Sequence, residues 1–126
     1  MAARGYKSYR AGTALVIGAP DEIDISNQQQ LEDVAVRGLA RGPVVVDLTA
    51  TTFLAISTLR VLVRCQRASE QSGCPFVLAA VCTSVLDLLV LAQLSDQLRI
   101  YPSVDAAQRA LQGGLELFAD KLPRHP

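Results

Sequence analysis

The hydroxyl groups of Ser57 and Thr58 are the side chains of this sequence best placed to do chemistry. They lie in the stretch TFLAISTLRVLV, which follows the apolar run PVVVDL and becomes a helical pattern after the Ser-Thr pair. A hydroxyl at a helix N-terminus faces free backbone N–H groups and the positive end of the helix dipole. A phosphate added to Ser57 would be held there electrostatically while bringing nearly two negative charges, so the junction could act as a switch. The simpler interpretation is that Ser57 only caps the helix.

Groups that would make Ser57 a catalytic nucleophile are missing from the sequence around it. A serine nucleophile needs a neighbouring base, but the only histidine is His125, close to the end of the chain, and no lysine lies near Ser57. No G-x-S-x-G motif surrounds the serine, and neither G-x-G-x-x-G nor G-x-x-x-x-G-K-[ST] occurs. We therefore expect no enzyme activity, no catalytic residues and no bound cofactor.

Metal-binding residues are also sparse. Asp24 and Asp47 end predicted strands, but two isolated carboxylates are a weak signal, and we expect them to accept hydrogen bonds from loop amides. The three cysteines, Cys65, Cys74 and Cys82, show no C-x-x-C spacing. We expect no metal site and reduced thiols, as in a cytosolic protein. A disulfide between Cys65 and Cys74 remains an alternative.

Charge and hydropathy exclude several classes of partner. The 126 residues include 12 Lys or Arg and 12 Asp or Glu, so the formal net charge is zero, which gives no reason to expect nucleic acid or anionic membrane as a partner. The apolar run Ala14 to Ile17 is too short for a signal peptide, so we expect a cytoplasmic protein. The apolar segment PFVLAAVCTSVLDLLVLAQL contains Asp87 and a Cys-Thr-Ser trio, which predicts a strand and a helix instead of membrane insertion.

The first half of the chain reads as strands around one helix. A β-compatible run ends at Gly18, a short strand follows around Ile23, and a helix begins at Ser26 or Asn27 and stops at Gly42. The run PVVVDL is apolar throughout, which predicts a strand in the middle of a sheet.

The second half alternates helices and strands. After the helix that follows Ser57, FVLAAV predicts a buried strand, a helix extends from Thr83 or Ser84 to about Leu94, and QLRIY predicts a short strand. The last helix, SVDAAQRALQGGLELF, is predicted to be interrupted at Gly113-Gly114. The order β-β-α-β-α-β-α-β-α predicts an α/β fold with a mainly parallel sheet and helices packed on it by right-handed crossovers.

Three arginines form a stripe on the helix after Ser57. Arg60, Arg64 and Arg67 recur at helical spacing, away from the face formed by Leu59, Leu62 and Val63. The stripe is either a solvated face or a surface for a docking partner.

These segments, in this order, resemble the STAS domain, the fold of bacterial anti-sigma factor antagonists. The resemblance covers about Tyr9 to Leu117 and is carried by GAPDEIDISNQQQL, GPVVVDLTATTFL, STLRVLVRCQRASEQSG and VLAAVCTSVLDLLVLAQLSDQLRIYPSVDAAQRAL. It implies a single STAS domain over residues 1–126, with a core at about 9–117 and a flexible tail at 118–126. The implied architecture is a mixed, mainly parallel central sheet with about four α-helices packed on it.

The resemblance also implies a function. In the family, the junction reads D-[ST]-[ST]-G-L, and an anti-sigma factor with kinase activity phosphorylates the second hydroxyl and so releases the antagonist. The matching residues are Ala55, Ile56, Ser57, Thr58 and Leu59, so Ser57 keeps the acceptor position and Thr58 is the less favoured acceptor. The family's acid, first hydroxyl and glycine have been replaced, which makes the switch loop degenerate and leaves the switch either altered or lost.

The partner-binding surface implied by the resemblance lies around this loop. An exposed apolar patch is expected from Ile56, Leu86 and Val90, because Leu86 and Val90 lie away from the core face of their helix; such patches commonly mark interfaces. The patch would bind the partner or a second copy of the chain, unless the chain's own tail covers it. The predicted partner-binding residues are Asp24, Asn27, Ala55, Ile56, Ser57, Thr58, Arg60, Arg64, Ser84 and Leu86.

Two other functions remain open for the same fold. The first is a small STAS subunit of a bacterial lipid-transport ABC system, which would bind an ATPase. The second is a module that senses a small ligand through the loops at the strand ends, where ligands usually bind in open α/β sheets.

Overall fold

The computed structural model describes residues 5–121, with side chains described as far as residue 112. The strands are β1 (Lys7–Ala11), β2 (Ala14–Gly18), β3 (Glu22–Ile23), β4 (Val44–Asp47), β5 (Phe53–Leu54), β6 (Phe76–Ala79) and β7 (Arg99–Tyr101). The helices are α1 (Gln28–Leu39), α2 (Thr58–Ser72), α3 (Thr83–Leu91) and α4 (Val104–Lys121).

The main sheet has five strands in the order β1-β2-β4-β6-β7. β1 pairs with β2 in antiparallel orientation, and the other three pairs are parallel. β3 and β5 form a separate parallel ladder of two residues each. The predicted mixed, mainly parallel sheet with four helices is therefore confirmed.

The central position of β4 is also confirmed. Val44, Val45 and Val46 are all fully buried, because helices cover both faces of this strand. Val45 packs with Ala107 and Leu111 of α4 on one face. Val44 and Val46 belong to the larger core on the other face, to which α1, α2 and α3 contribute.

Two strands escaped prediction, and both lack the usual apolar signal. β1 forms a hairpin with β2 through a turn at Gly12, whose φ of 63° suits glycine. Residues 7–10 of β1 are exposed on both faces of this sheet edge, so their sequence shows no alternation of buried positions. β5 has only two residues and contains the half-exposed Phe53.

The predicted interruption of the last helix is wrong. The backbone of α4 is helical from Val104 to Lys121, through Gly113 and Gly114. Glycine lowers helix propensity by about 1 kcal/mol but keeps its N–H donor, so a tandem pair does not have to end a helix. Of the tail predicted at 118–126, residues 118–121 are helical, and residues 122–126, including His125, lie outside the described residues.

The segment that resembles a membrane span is divided as predicted. Its first part is β6 and its second part is α3, and an irregular connection around Val81 separates them. Between residues 5 and 121, no helix is both long enough and apolar enough to cross a membrane. α3 ends at Leu91, three residues before the predicted end, because Gln93 has a φ of 60°.

Candidate functional site

The β3–β5 ladder brings the loops that follow these two strands side by side. The backbone N–H of Ala55 donates to the carbonyl of Ile23 at 2.9 Å, continuing the ladder by one residue. The Thr58 hydroxyl oxygen lies 3.4 Å from the same carbonyl. As a result, residues 23–28 and 55–58, which are far apart in sequence, form one surface at the start of α1 and α2.

Gln28, the first residue of α1, connects this surface to both hydroxyl groups. Its Oε1 atom accepts a hydrogen bond from Ser57 Oγ at 2.8 Å and another from Thr58 Oγ1 at 2.8 Å. These bonds join the first turn of α1 to the first turn of α2. Sequence reasoning missed Gln28, and its only signal was its place in the polar run NQQQ at a predicted helix start.

The two hydroxyl groups differ in their access to solvent. Thr58 is fully buried, whereas Ser57 is partly exposed. A kinase must bring its phosphate donor to the oxygen, which requires an accessible hydroxyl. Ser57 therefore fits the role of acceptor better than Thr58 does.

The expectation that Ser57 faces free backbone N–H groups is wrong. The amides of Thr58, Leu59 and Arg60 donate to the carbonyls three residues earlier, at 2.9, 3.0 and 3.3 Å. Ser57 itself has helical φ and ψ angles of −62° and −24° and makes no capping hydrogen bond with its side chain. A tight turn thus uses the amides that a phosphate would need, and only the helix dipole and nearby side chains remain to hold an anion.

Asp24 and Asp47 each accept hydrogen bonds from the loop that follows them. Asp24 Oδ1 accepts hydrogen bonds from Ser26 N at 3.0 Å and Ser26 Oγ at 2.6 Å, and Asp47 Oδ1 accepts one from Thr49 N at 3.0 Å. These bonds confirm that the two aspartates accept hydrogen bonds from loop amides. Of the residues whose side chains are described, no three His, Cys, Asp or Glu cluster so as to hold a metal ion.

Asn27 supports the loop from inside. It is only 7% exposed; its side chain accepts a hydrogen bond from Asp24 N at 3.0 Å and donates one to the Glu22 carbonyl at 2.9 Å. Although it was predicted to bind a partner, its position limits direct contact. Its amide instead fixes the turn that carries Asp24.

The arginine stripe on α2 is divided between two roles. Arg64 Nε lies 2.9 Å from both carboxylate oxygens of Glu32 on α1, so this arginine holds the two helices together. Arg60 and Arg67 are exposed. Arg60 lies one helical turn after Ser57 and is the stripe's member closest to the candidate site.

The predicted apolar patch is exposed in the structure. Ile56, Leu86 and Val90 are 75%, 36% and 53% exposed. α3 packs against β5, and Ser84 Oγ donates to the Thr52 carbonyl at 3.4 Å, which brings the start of α3 beside the strand that leads to Ile56. Sequence reasoning did not single out five further exposed apolar or aromatic residues, namely Tyr9, Ile25, Val36, Phe53 and Leu91.

The three cysteines are free thiols, so the alternative disulfide between Cys65 and Cys74 is not formed. Burial raises the pKa of Cys65 to about 12, with a further contribution from Glu32. By contrast, a hydrogen bond with the Ser84 hydroxyl lowers the pKa of Cys82 at the start of α3. Cys82 is therefore the thiol whose environment favours the thiolate.

Comparisons with known proteins agree on the fold. The STAS domain family model matches residues 7–107. The solved structure of an anti-sigma factor antagonist from Mycobacterium paratuberculosis aligns with a TM-score of 0.74 and 23% identity, covering 85% of this chain and 92% of that one. The structure of an anti-sigma-factor antagonist (STAS) domain protein from Planctomyces limnophilus aligns with a TM-score of 0.76 and 17% identity. The alignment covers 86% of this chain and 98% of that one.

A third solved structure is that of the anti-sigma factor antagonist SpoIIAA in its unphosphorylated form. It aligns with a TM-score of 0.75 and 13% identity, over 86% of this chain and 97% of that one. At these identities the likeness concerns the fold. No curated protein matches the sequence.

Proposed function

The chain belongs to the STAS domain family, and we propose that it is an anti-sigma factor antagonist, which binds a kinase-type anti-sigma factor and so regulates sigma-factor-dependent transcription. The observation that carries the proposal is the Ser57 hydroxyl, which is partly exposed at the start of α2 and donates to Gln28. The solved antagonists with the same fold support it. The function is binding, not catalysis, and it implies a cytoplasmic location because sigma factors act on RNA polymerase there.

The unphosphorylated state is the one that binds. In that state Ser57 donates its proton to Gln28 Oε1, which connects α1 to α2 at the surface formed by the two loops. The neighbouring Ile56 is 75% exposed, so this surface can bury apolar area against a partner. Removing Ile56 from water would contribute about 2 kcal/mol to the complex.

Phosphorylation of Ser57 would reverse both features. The modified oxygen has no proton to donate, and its negative charge repels the Gln28 carbonyl oxygen, so the Ser57–Gln28 bond breaks. The phosphate would also place nearly two charges beside Ile56, which makes burial of this apolar surface costly. Both effects favour release of the partner.

The sequence departures in the loop predict an altered switch. Thr58 occupies the family's glycine position, and its buried hydroxyl donates to Gln28 Oε1 at 2.8 Å and lies 3.4 Å from the Ile23 carbonyl. If the phosphate displaces Gln28 Oε1, the Thr58 hydroxyl can still turn its proton to the Ile23 carbonyl, so the loop would keep part of its structure. Ala55 supplies no carboxylate to a kinase. We therefore expect slower phosphorylation than an antagonist with the full motif would show.

The partner would dock on Ile56, Leu86 and Val90, with Ser57 and Arg60 at the edge of the contact. These side chains lie near the start of α2 and along α3, and Arg60 is exposed beside the acceptor serine. A second copy of this chain is the competing occupant of the same surface. A homodimer would bury the patch without any anti-sigma factor.

Affinity capture from the native bacterium tests the proposal. We expect wild-type protein to capture a kinase-type anti-sigma factor, and Ser57→Asp and Leu86→Asp to capture at least ten times less. Val36→Asp is the matched control, because Val36 is 38% exposed against 36% for Leu86 and lies eight residues after Gln28 on α1. Capture of a transporter ATPase or of the chain itself, or equal capture by all variants, would overturn the proposal.

A further inference from the structure

A groove runs between the β1–β2 hairpin and the C-terminal half of α1. Its volume is about 490 Å³, and its more buried lining includes Leu15, Val34 and Gly38. Gly38 lies ten residues after Gln28 on α1, which corresponds to about 15 Å along a helix. The surface formed by residues 23–28 and 55–58 is called the Ser57 surface below. The groove and the Ser57 surface are therefore at opposite ends of α1.

The groove exists because α1 leaves the edge strand uncovered. α1 contacts β2 and β4, and at Gly38 it comes so close that a Cβ atom would lie 2.9 Å from Val44 Cγ2. β1 lies outside this contact, at the sheet edge, and its residues 7–10 are exposed. Among residues 5–121, no strand pairs with the outer side of β1, so the backbone groups on that side are open to a further strand.

Three arginines converge on this groove. Arg10 comes from β1, Arg37 from the last turn of α1, and Arg41 lies two residues after the end of that helix; all three are exposed. Of the side chains that the structure describes, none that lines the groove is acidic. Over residues 5–112, where side chains are described, none of the three arginines forms an ion pair, unlike Arg64 with Glu32.

The helix dipole explains only two of these charges. Arg37 and Arg41 lie at the C-terminal end of α1, where a cation is favourable beside the last carbonyls. Arg10 belongs to a different element, and bringing a third cation to the same groove costs repulsion unless an anion compensates. The combination of three guanidinium groups over an apolar floor fits a ligand with several carboxylates and some apolar side chains.

We propose that the groove binds an acidic segment of a partner protein, in extended conformation. Its carboxylates pair with Arg10, Arg37 and Arg41, and its apolar side chains contact Leu15 and Val34. The groove is open along one side, so it encloses a small molecule poorly, whereas an extended chain can continue along the edge strand β1. This inference is independent of the proposed function, because it uses none of the residues around Ser57.

The probe is a short fluorescein-labelled peptide in which Glu alternates with Leu, measured by fluorescence anisotropy against the full chain. We expect wild-type protein to bind it with an affinity that falls as salt is added, and the double variant Arg10→Ala/Arg37→Ala to bind at least ten times more weakly. Arg67→Ala is the matched control, since Arg67 is an exposed arginine on α2, outside the groove. Arg10, Arg37 and Arg67 are all exposed, so thermal unfolding should change only slightly, the small loss at Arg37 reflecting its position beside the last carbonyls of α1.

Two competitors distinguish the ligand classes. The same peptide with Gln in place of Glu should fail to compete, and pyrophosphate should compete only at far higher concentration. Equal binding by the wild type and the double variant, or no binding by the wild type at low salt, would overturn the inference. Displacement by pyrophosphate at the peptide's own concentration would also overturn it, in favour of a small-anion site.

Discussion

The hydrogen bond from Ser57 to Gln28 connects the first turns of α1 and α2. The serine does not cap its own helix but donates to a side chain on α1, and the turn uses the amides that would otherwise hold a phosphate. A phosphate on Ser57 would thus gain little from the α2 backbone. Its main effects would be to break the bond to Gln28 and to charge the surface beside Ile56.

Cys82 and Cys65 have pKa values shifted in opposite directions. The Ser84 hydroxyl lowers its pKa, so we expect alkylation by iodoacetamide in native protein to reach its plateau at a lower pH than in the unfolded chain. Cys65 is buried with its pKa raised to about 12, and we expect it to react only after unfolding. Peptide mass spectrometry across a pH series measures both rates.

Ser84→Ala is the control for this assignment. Loss of the hydroxyl should move the Cys82 alkylation midpoint to higher pH and leave Cys74 unchanged. Because the folded-state pKa of Cys82 lies below its unfolded value, the stability it contributes is present at high pH and is lost as the pH falls through the folded pKa. An alkylation profile of Cys82 identical in the folded and unfolded chain would contradict the assignment.

Gln93 carries local backbone strain that glycine would relieve. Its φ is 60°, a left-handed conformation just after the end of α3, which glycine adopts without strain. The left-handed conformation costs a non-glycine residue about 1–2 kcal/mol, part of which glycine loses again to its greater freedom in the unfolded chain. We expect Gln93→Gly to raise the free energy of unfolding by about 1 kcal/mol.

Urea unfolding measures this change. Ala92→Gly is the matched control, because the neighbouring Ala92 has a φ of −82° and should gain nothing from glycine. A lower stability for Gln93→Gly than for the wild type would show that the Gln93 side chain compensates for its backbone conformation.

At the scale of the elements, the packing of α1 on the sheet depends on one glycine. A Cβ at Gly38 would lie 2.9 Å from Val44 Cγ2 and 2.7 Å from Leu15 Cδ2. Leu15 can move its side-chain end, but Val44 is fully buried and β-branched, so α1 itself must shift. Overpacking of this kind costs about 1–3 kcal/mol, against about 1 kcal/mol gained in helix propensity.

We therefore expect Gly38→Ala to destabilise the protein by about 1 kcal/mol, measured by chemical unfolding. Gln30→Ala, at an exposed position of the same helix, should be nearly neutral. An increase in stability for Gly38→Ala would mean that α1 is not held against the sheet at this point. The same shift should alter the groove between α1 and β1.

Helices and strands that bury apolar residues were easier to predict from sequence than those that do not. β4 and the division of the apolar segment into β6 and α3 were predicted from sequence, because buried strands and amphipathic helices leave clear patterns. β1 and β5 were not, since one is an exposed edge and the other has two residues. The helical backbone at Gly113 and Gly114 reflects a context that local propensity does not contain.

At the scale of the whole molecule, the candidate site could be predicted only in part. Ser57 and Ile56 were identified because they are contiguous in the junction sequence. Gln28 and the groove were not, because both arise from contacts between elements that are distant in sequence. The order of the elements predicted the sheet, but side-chain pairing across helices depends on packing distances that no local pattern encodes.

The fold also separates two surfaces along α1. The Ser57 surface lies at its start and the arginine groove at its end, so a partner could occupy either without covering the other. This separation allows a regulated contact and a constitutive one on the same domain. The regulated contact is the one at the start of α1, where Ser57 donates to Gln28.

The measurement that tests the regulated contact most directly is the intact mass of the protein isolated from its native host, with Ser57→Ala as the control. We predict an added phosphate on a fraction of the wild-type protein, its absence in Ser57→Ala, and its absence from the protein recovered in complex with the anti-sigma factor. A wild-type chain that is never phosphorylated, or a phosphate that persists in Ser57→Ala, would contradict the account and leave Ser57 as a structural link between α1 and α2.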